Sequence, residues 1–433
     1  MLWHSNAIMR KKFVENFSFL LLSNLLIKPV WIFGIDRKIQ LIAGAEEYGN
    51  YFAAMNFSFI FSIILDLGIN NFVNRAISRT PNRAGSFLGN LIKIKAVLGI
   101  SYLLITVAFA WFSGLSEPMI GFVLFLGLNQ LLLSFVLHFR AYIAALHFFK
   151  VDSIISITDK ALAILFVVAV WFFFHSVTSL QTIYYFIFSQ TAALLLTALA
   201  AFYFLSTKVY YKTQQWSFKF IRIILLQSFP FALLVLQMTI YGRIDGILLH
   251  RILPNNIEET GIYASGFRLL DAATQFGYLS ATILLPLFAK SFKNRNNLRP
   301  LVGLSSILML MASSFLAVCC YFWKSEIVLV LYHTTDIRYA EVLSILMFTF
   351  IPISTIYVFG TLLTAKGDLK VLNTIALLGI ILSISLNLVL IPKNGAVGAA
   401  KAALITQLVV ALAHIAAAYK PLFMENARSK VSE

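Results

Sequence analysis

Charge is scarce in this 433-residue sequence: Asp, Glu, Lys and Arg make up 12% of it, against 60% hydrophobic residues and 15% aromatics. A soluble domain carries about 25% charged and roughly 45–50% apolar residues. Half the usual charge cannot cover a water-soluble particle of this length, which excludes a soluble enzyme and a disordered chain. Cysteine is nearly absent too. Cys319 and Cys320 are adjacent inside an apolar run, so a disulfide scaffold is excluded, and the two thiols read as lipid-facing or core filler. Also missing are an H-E-x-x-H pair, a G-x-S-x-G turn, a phosphate-binding P-loop and any Cys/His metal spacing. Neither an enzyme nor a metal or cofactor is expected, and an ATP-driven mechanism would need a partner. What remains is an all-α integral membrane protein.

Apolar runs long enough to cross a bilayer, about 20 residues each, are abundant. They fall at 14–35, 48–65, 96–116, 118–139, 161–207, 223–242, 262–289 (crossing Arg268 and Asp271), 300–323, 342–365, 371–392 and 402–419. The 161–207 run is too long for one span and carries a polar break at 175–182, so twelve helices are expected. The basic excess, 34 Lys and Arg against 18 Asp and Glu, would suggest nucleic acid in a soluble domain. Here it sorts by membrane side. Twenty-one basic residues, among them Arg75, Arg79, Arg83 and Lys150, fall on the side of the two termini, and six fall on the other. That asymmetry puts both termini in the cytoplasm and makes nucleic acid an unneeded partner. The first apolar segment lacks an A-x-A-like exit, so no cleavable signal peptide is expected. The largest external loops, near 36–48, 250–261 and 324–341, are too short for a separate domain.

The halves resemble each other. Glu46-Glu47-Tyr48-Gly49-Asn50-Tyr51 and Glu258-Glu259-Thr260-Gly261-Ile262-Tyr263 share the pattern E-E-x-G-x-Y 212 positions apart, each at the external start of a span. A second echo pairs Ala145, Lys150 and Val151 with Ala365, Lys370 and Val371. A 6+6 repeat follows, with lobes at 1–212 and 213–433, a linker near 206–222, and an axis along the membrane normal. Chemically the motif reads as a helix start, with acidic residues at a helix N-terminus and tyrosine at the interface.

Asp36-Arg37, the first E-E-Y-G-x-Y and Leu65-Asp66-Leu67-Gly68, followed by the Asn387 to Ala400 stretch with Pro392, Gly395 and Gly398, resemble the signatures of polysaccharide-export flippases. These form the O-antigen-type branch of the multidrug/oligosaccharidyl-lipid/polysaccharide exporter superfamily. The resemblance implies two six-helix lobes around a central cavity in a bacterial inner membrane. It also implies transfer of undecaprenyl-diphosphate-linked oligosaccharide from cytoplasmic to periplasmic leaflet by alternating access; with no P-loop in the sequence, a proton or sodium counter-ion is the expected energy source. The glycosyltransferases and polymerase of the same pathway are the implied partners, beside membrane lipids.

A charge at mid-bilayer costs about 2.5–3.5 kcal/mol on insertion scales, so those retained mark a pathway or an internal ion pair. Lys28, Arg243 and Arg268 are the candidate diphosphate contacts, the arginines for their bidentate fork. Asp245, Asp271 and, more weakly, Asp66 are the candidates for ion coupling or for orienting the arginines. Arg243 and Arg268 flank the 250–261 turn by seven residues each, which sets both about 10 Å below the outer surface. The competing expectation is that Arg243/Asp245 and Arg268/Asp271 pair with each other, simply holding the hairpin together. Pro29 and Pro230 interrupt the first helix of each half, a pointer to a transporter's site. Two other functions fit the architecture less well. Export of cationic drugs would face repulsion from Lys28, Arg243 and Arg268 in one cavity, and a polysaccharide polymerase would need a larger external loop.

Overall fold

The computed structural model describes residues 26–67, 69–70, 73, 77, 84–146, 148–173, 178–209, 218–292 and 298–419. Arg10 to Lys12, the start of the first expected span, Arg75, Arg79, Arg83, residues 175–177 of the polar break, most of the linker and the basic residues beyond 419 lie outside the described residues. Ten segments are long and apolar enough to span a membrane. Two of them, Leu26–Leu65 and Leu369–Tyr419, are each broken by a glycine, Gly44 at φ 81° and ψ 167° and Gly395 at φ 54° and ψ −131°. Side chains strain the backbone at positive φ, which glycine visits freely. The breaks therefore turn ten segments into twelve long helices among the described residues, as the run lengths predict, in a multi-pass membrane protein.

In chain order they are α1 (26–43), α2 (45–61), α3 (Ala84–Phe112), α4 (Glu117–Ala145), α5 (Phe149–Phe173), α6 (Ser179–Lys208), α7 (Phe218–Ile252), α8 (Glu258–Ser291), α9 (Leu298–Phe322), α10 (Ile337–Lys366), α11 (369–394) and α12 (396–419). The split expected inside 161–207 falls between α5 and α6. There Thr178 accepts from the Gln181 backbone N–H, and Gln181 accepts from the Thr178 N–H, a reciprocal cap that starts α6.

The three loops expected on the external side are shorter than the sequence suggests. The 36–48 loop is helical up to Gly44: Pro29, which has no N–H to donate, leads into a π-helical stretch, Val30–Asp36, and the α-helix then resumes. The 250–261 loop shrinks to 253–257, and 324–341 contains a short helix, Lys324–Tyr332. The two expected proline interruptions are unlike, since α7 continues through Pro230 as one helix.

Contacts gather the described residues into two compact units: Met1–Ala43 with Phe57–Ala232, and Gly44–Asn56 with Leu233–Glu433. The outer part of α2 thus packs with the second unit, and the chain passes from one unit to the other within α7, at 232/233 instead of 212/213. In the first unit, Leu88, Leu91, Tyr142 and Leu205 form part of a buried core. In the second, Phe288, Val358, Leu362 and Ala418 do so. Leu104 and Phe315, about 70% exposed, belong to the lipid-facing surface that a membrane protein requires.

Candidate functional site

The site in the second unit is built on the crossing of α2 with α8, and the duplicated motif makes that crossing. A Cβ on Gly49 would lie 2.9 Å from both the Gly261 nitrogen and the Ile257 carbonyl oxygen. A Cβ on Gly261 would fall on the Ala45 carbonyl, with the Ala45 Cα 2.7 Å away. The motif glycines of the two copies therefore face each other, and only their missing side chains let the helices meet backbone to backbone. The motif is more than the helix start its chemistry suggests; its spacing holds the crossing, and the facing of the two copies is what a single sequence does not reveal. The second copy's acidic pair ties in further helices. Glu259 accepts from Arg338 Nη1 at 2.6 Å and from the Ala396 N–H at 2.7 Å, binding α8 to α10 and to the start of α12.

That crossing lays one face of α2 along α7 and α8. Arg268 donates from Nε to the Tyr48 hydroxyl at 2.9 Å and lies over the rings of Tyr48, Tyr51 and Phe52 at 5.8–5.9 Å. Arg243 presents its fork to Asp271, Nη1 to Oδ2 at 3.2 Å and Nη2 to Oδ1 at 3.3 Å. It also reaches Asn56 Oδ1 at 3.4 Å and packs on the Phe267 ring. Asp245 is 2% exposed. It accepts from the Tyr263 hydroxyl at 3.1 Å, Asn387 Nδ2 at 2.6 Å and the Ser383 hydroxyl at 3.3 Å. Among the described residues no cation pairs with it.

Arg243 and Asp271 thus form the cross-hairpin link of the competing expectation, while Asp245 and Arg268 take neutral partners. Residues 243 and 245 are two apart on a helix and face different ways, so Asp245 turns to α11 while Arg243 turns to α8. Arg268 and Asp271 do share a face, but helical side chains lean toward the N-terminus. That lean carries Arg268 toward the Tyr48 end, and Arg243 occupies both oxygens of Asp271.

A cavity of about 470 Å³ opens within this unit, among α7, α8, α10, α11 and α12. Arg243, Asp245 and Asp271 line it, with Phe267, Tyr241, Tyr357, Gln275, Gln407 and His414; Arg268 is not among the lining residues. Along α10 the lining runs from Thr349 to Thr364, about 22 Å at helical rise.

The other two candidates belong to the first unit. Lys28, half-buried on α1, feels the charges of Lys160, Asp159 and Arg140. Asp66, just past the end of α2, accepts from Lys95 Nζ at 3.3 Å and from the Asn70 N–H at 3.3 Å. Lys95 is 1% exposed and also donates to the Leu65 carbonyl at 2.9 Å and the Ser134 hydroxyl at 2.7 Å. Sequence reasoning misses it because it sits at the edge of the charge-free run 96–116. It misses Asn56, Tyr263, Ser383 and Asn387 too, although the polar Ser383 and Asn387 inside an apolar run are a usable signal.

Residues 13–292 match the family model described as polysaccharide biosynthesis protein. No curated protein matches the sequence. Among solved structures, one similar to this chain is the inward-facing conformation of a multidrug resistance MATE family transporter of the MOP superfamily. It is 13% identical with a TM-score of 0.69, over 96% of this chain and 100% of that one. The lipid II flippase MurJ in its inward closed conformation is 13% identical with a TM-score of 0.68, over 92% and 87%. A mutant of the Vibrio cholerae MATE transporter VcmN is 15% identical with a TM-score of 0.63, over 95% and 99%. At these identities the likeness is one of fold, that of the MOP superfamily.

Proposed function

The chain belongs to the polysaccharide biosynthesis protein family, and on that premise we propose that it is a flippase for undecaprenyl-diphosphate-linked oligosaccharide. It would work by alternating access in a bacterial inner membrane, from cytoplasmic to periplasmic leaflet, with both termini cytoplasmic. The glycosyltransferases of the same pathway supply the substrate and its polymerase consumes the product.

The observation that carries the reading is the Arg243 fork, held by Asp271 at the wall of a cavity. A guanidinium in this geometry fits two phosphate oxygens as well as two carboxylate oxygens. The lining has one arginine against two aspartates, so a diphosphate cannot enter without positive charge to accompany it. A proton or sodium ion on Asp271 supplies that charge and releases Arg243 to the diphosphate. Substrate binding and ion uptake then become linked, which is the coupling an ion-driven flippase needs. Asp245, set in neutral donors on α8 and α11, is the second candidate for the ion. Arg268 has the part of holding α2 against α8. Lys28 keeps a place as a phosphate contact in the first unit, with Asp159 as its competitor.

The same charge balance favours one rival. Two carboxylates against one arginine suit a cation, and neither Lys28 nor Arg268 lines this cavity to repel it, so a drug/ion antiporter of the same superfamily is the second reading. A deletion strain separates the two. The flippase reading expects lipid-linked repeat units to accumulate on the cytoplasmic face and surface glycan to disappear. Normal surface glycan with heightened sensitivity to cationic drugs would replace it with the antiporter.

A further inference from the structure

Most hydroxyls lining the cavity are committed to their own helices. Thr274 donates to the Asp271 carbonyl, Thr349 to Ile345, Thr361 to Tyr357 and Thr364 to Gly360. Four other polar groups are not so committed. The Tyr241 and Tyr357 hydroxyls, the Gln407 amide and the Nε2 of His414 line the cavity and have no hydrogen-bond partner among the described residues. Three of these residues, Tyr241, Gln407 and His414, are more than nine-tenths buried. His414 Nδ1 is 2.8 Å from the Val410 carbonyl, a bond that makes Nδ1 the donor and leaves Nε2 as an acceptor. Gln407 and His414 are seven residues apart on α12, two turns along one face.

Polar groups at a cavity wall that no described residue engages are free to meet a ligand there. Here they combine two phenols that donate or accept, one amide that does both and one ring nitrogen that accepts. All four are uncharged, and they surround a volume within the roughly 300–1,000 Å³ of small-molecule sites. Among the described residues Arg243 is the only arginine in the lining, and it is engaged by Asp271.

We propose that this cavity inside the second unit is a subsite for uncharged sugar residues, recognised by Tyr241, Tyr357, Gln407 and His414, and that it rejects sugars bearing a carboxylate. Sugar hydroxyls both donate and accept, and so match a mixed set of neutral partners, while the tyrosine rings offer apolar faces to the sugar. An acidic sugar would add a negative charge beside Asp245 and Asp271, with no second lysine or arginine among the described lining residues to meet it. This inference rests on the flippase reading for its biological meaning, and it assigns specificity to residues that take no part in holding the diphosphate.

The test uses the purified full chain with two soluble probes, an uncharged disaccharide and the same disaccharide carrying one uronic acid, in an equilibrium binding assay. The uncharged probe should bind at least about tenfold tighter. Tyr357→Phe and Gln407→Leu each remove polar groups with little change of volume and should weaken it by roughly three- to tenfold. Equal binding of the two probes, or no loss in either variant while both proteins remain folded by gel filtration, overturns the subsite. A parallel arm follows the leaflet-to-leaflet movement of an undecaprenyl-diphosphate-linked uncharged disaccharide in proteoliposomes. Selective binding without movement keeps the subsite and sinks the flippase reading; movement without selectivity does the reverse.

Discussion

Replacing Gly261 by alanine adds one methyl group where there is no room for it. The new Cβ would fall on the Ala45 carbonyl, with the Ala45 Cα at 2.7 Å. Ordinary contact begins at 3.4 Å and the carbonyl oxygen is nearer than the Cα, so α2 and α8 would have to part by well over about 0.7 Å. Both partners are backbone, and no rotamer change relieves the clash. Overpacking of this kind costs about 1–3 kcal/mol, with the upper end expected at a backbone crossing, and parting the helices also strains the Arg268 bond to Tyr48. Gly303→Ala on α9 is the control, because a Cβ there meets nothing within 4 Å. It should gain up to about 1 kcal/mol of helix propensity. Gly261→Ala lies within a helix too and gains similar propensity, so the two variants should differ by the overpacking cost, roughly 1–3 kcal/mol in stability. At about 2–4 °C per kcal/mol for domains of 150–250 residues, apparent melting temperatures in detergent, taken at one scan rate, should differ by roughly 2–12 °C. Equal melting of Gly261→Ala and Gly303→Ala would refute the crossing as the reason for the duplicated glycine.

Arg243→Ala should abolish surface glycan while protein persists in the membrane, and Arg243→Lys should restore part of it, since a point charge loses the fork; full glycan in both would remove Arg243 from the substrate path. Lys95→Met keeps the bulk but leaves the Leu65 carbonyl and Ser134 hydroxyl without their ammonium donor. It should cost about 2 kcal/mol, less than a fully buried pair because Asp66 is 32% exposed and can be rehydrated. Unchanged melting would make the cluster dispensable. Outside the spans, Asp336 has its carboxyl held below the usual range by hydrogen bonding from Arg338. A depressed folded-state value stabilises above the unfolded-state value, and the benefit is lost as pH falls through the folded one. Asp336→Asn should therefore flatten the acid-side fall in melting temperature, and an identical acid-side profile would show that the bond does not contribute.

The twelve helices are legible because the signal is local: a run of apolar residues states its own length, and a basic residue ends it. The bends are less so. Gly44 and Gly395 turn the chain inside stretches that otherwise read as helix, and the π-helical stretch after Pro29 carries the helix through an expected loop. The site is half legible. Arg243, Asp245 and Asp271 stand out as charges at lipid depth, and all three line one cavity. Which carboxylate meets which arginine depends on how α2 lies against α8, a contact between residues some 200 positions apart that two similar motifs hint at but do not orient. Lys95 is hidden because a lysine looks the same to a hydropathy window whether it ends a span or is buried within it, where the Leu65 and Ser134 oxygens receive it. The four neutral groups of the inner cavity carry no sequence signal at all, since tyrosine, glutamine and histidine in a span acquire meaning only from the partners they lack.

The exchange of Arg243 from Asp271 to a diphosphate is tested most directly by the affinity of the purified protein for undecaprenyl diphosphate, wild type against Asp271→Asn. Neutralising Asp271 frees a charge-assisted fork, so the variant should bind roughly tenfold tighter or more, and its binding should depend less on pH and sodium than that of the wild type. Affinity that is unchanged or weaker in Asp271→Asn would mean that the arginine is not handed over, and the coupling assigned to this pair would be wrong.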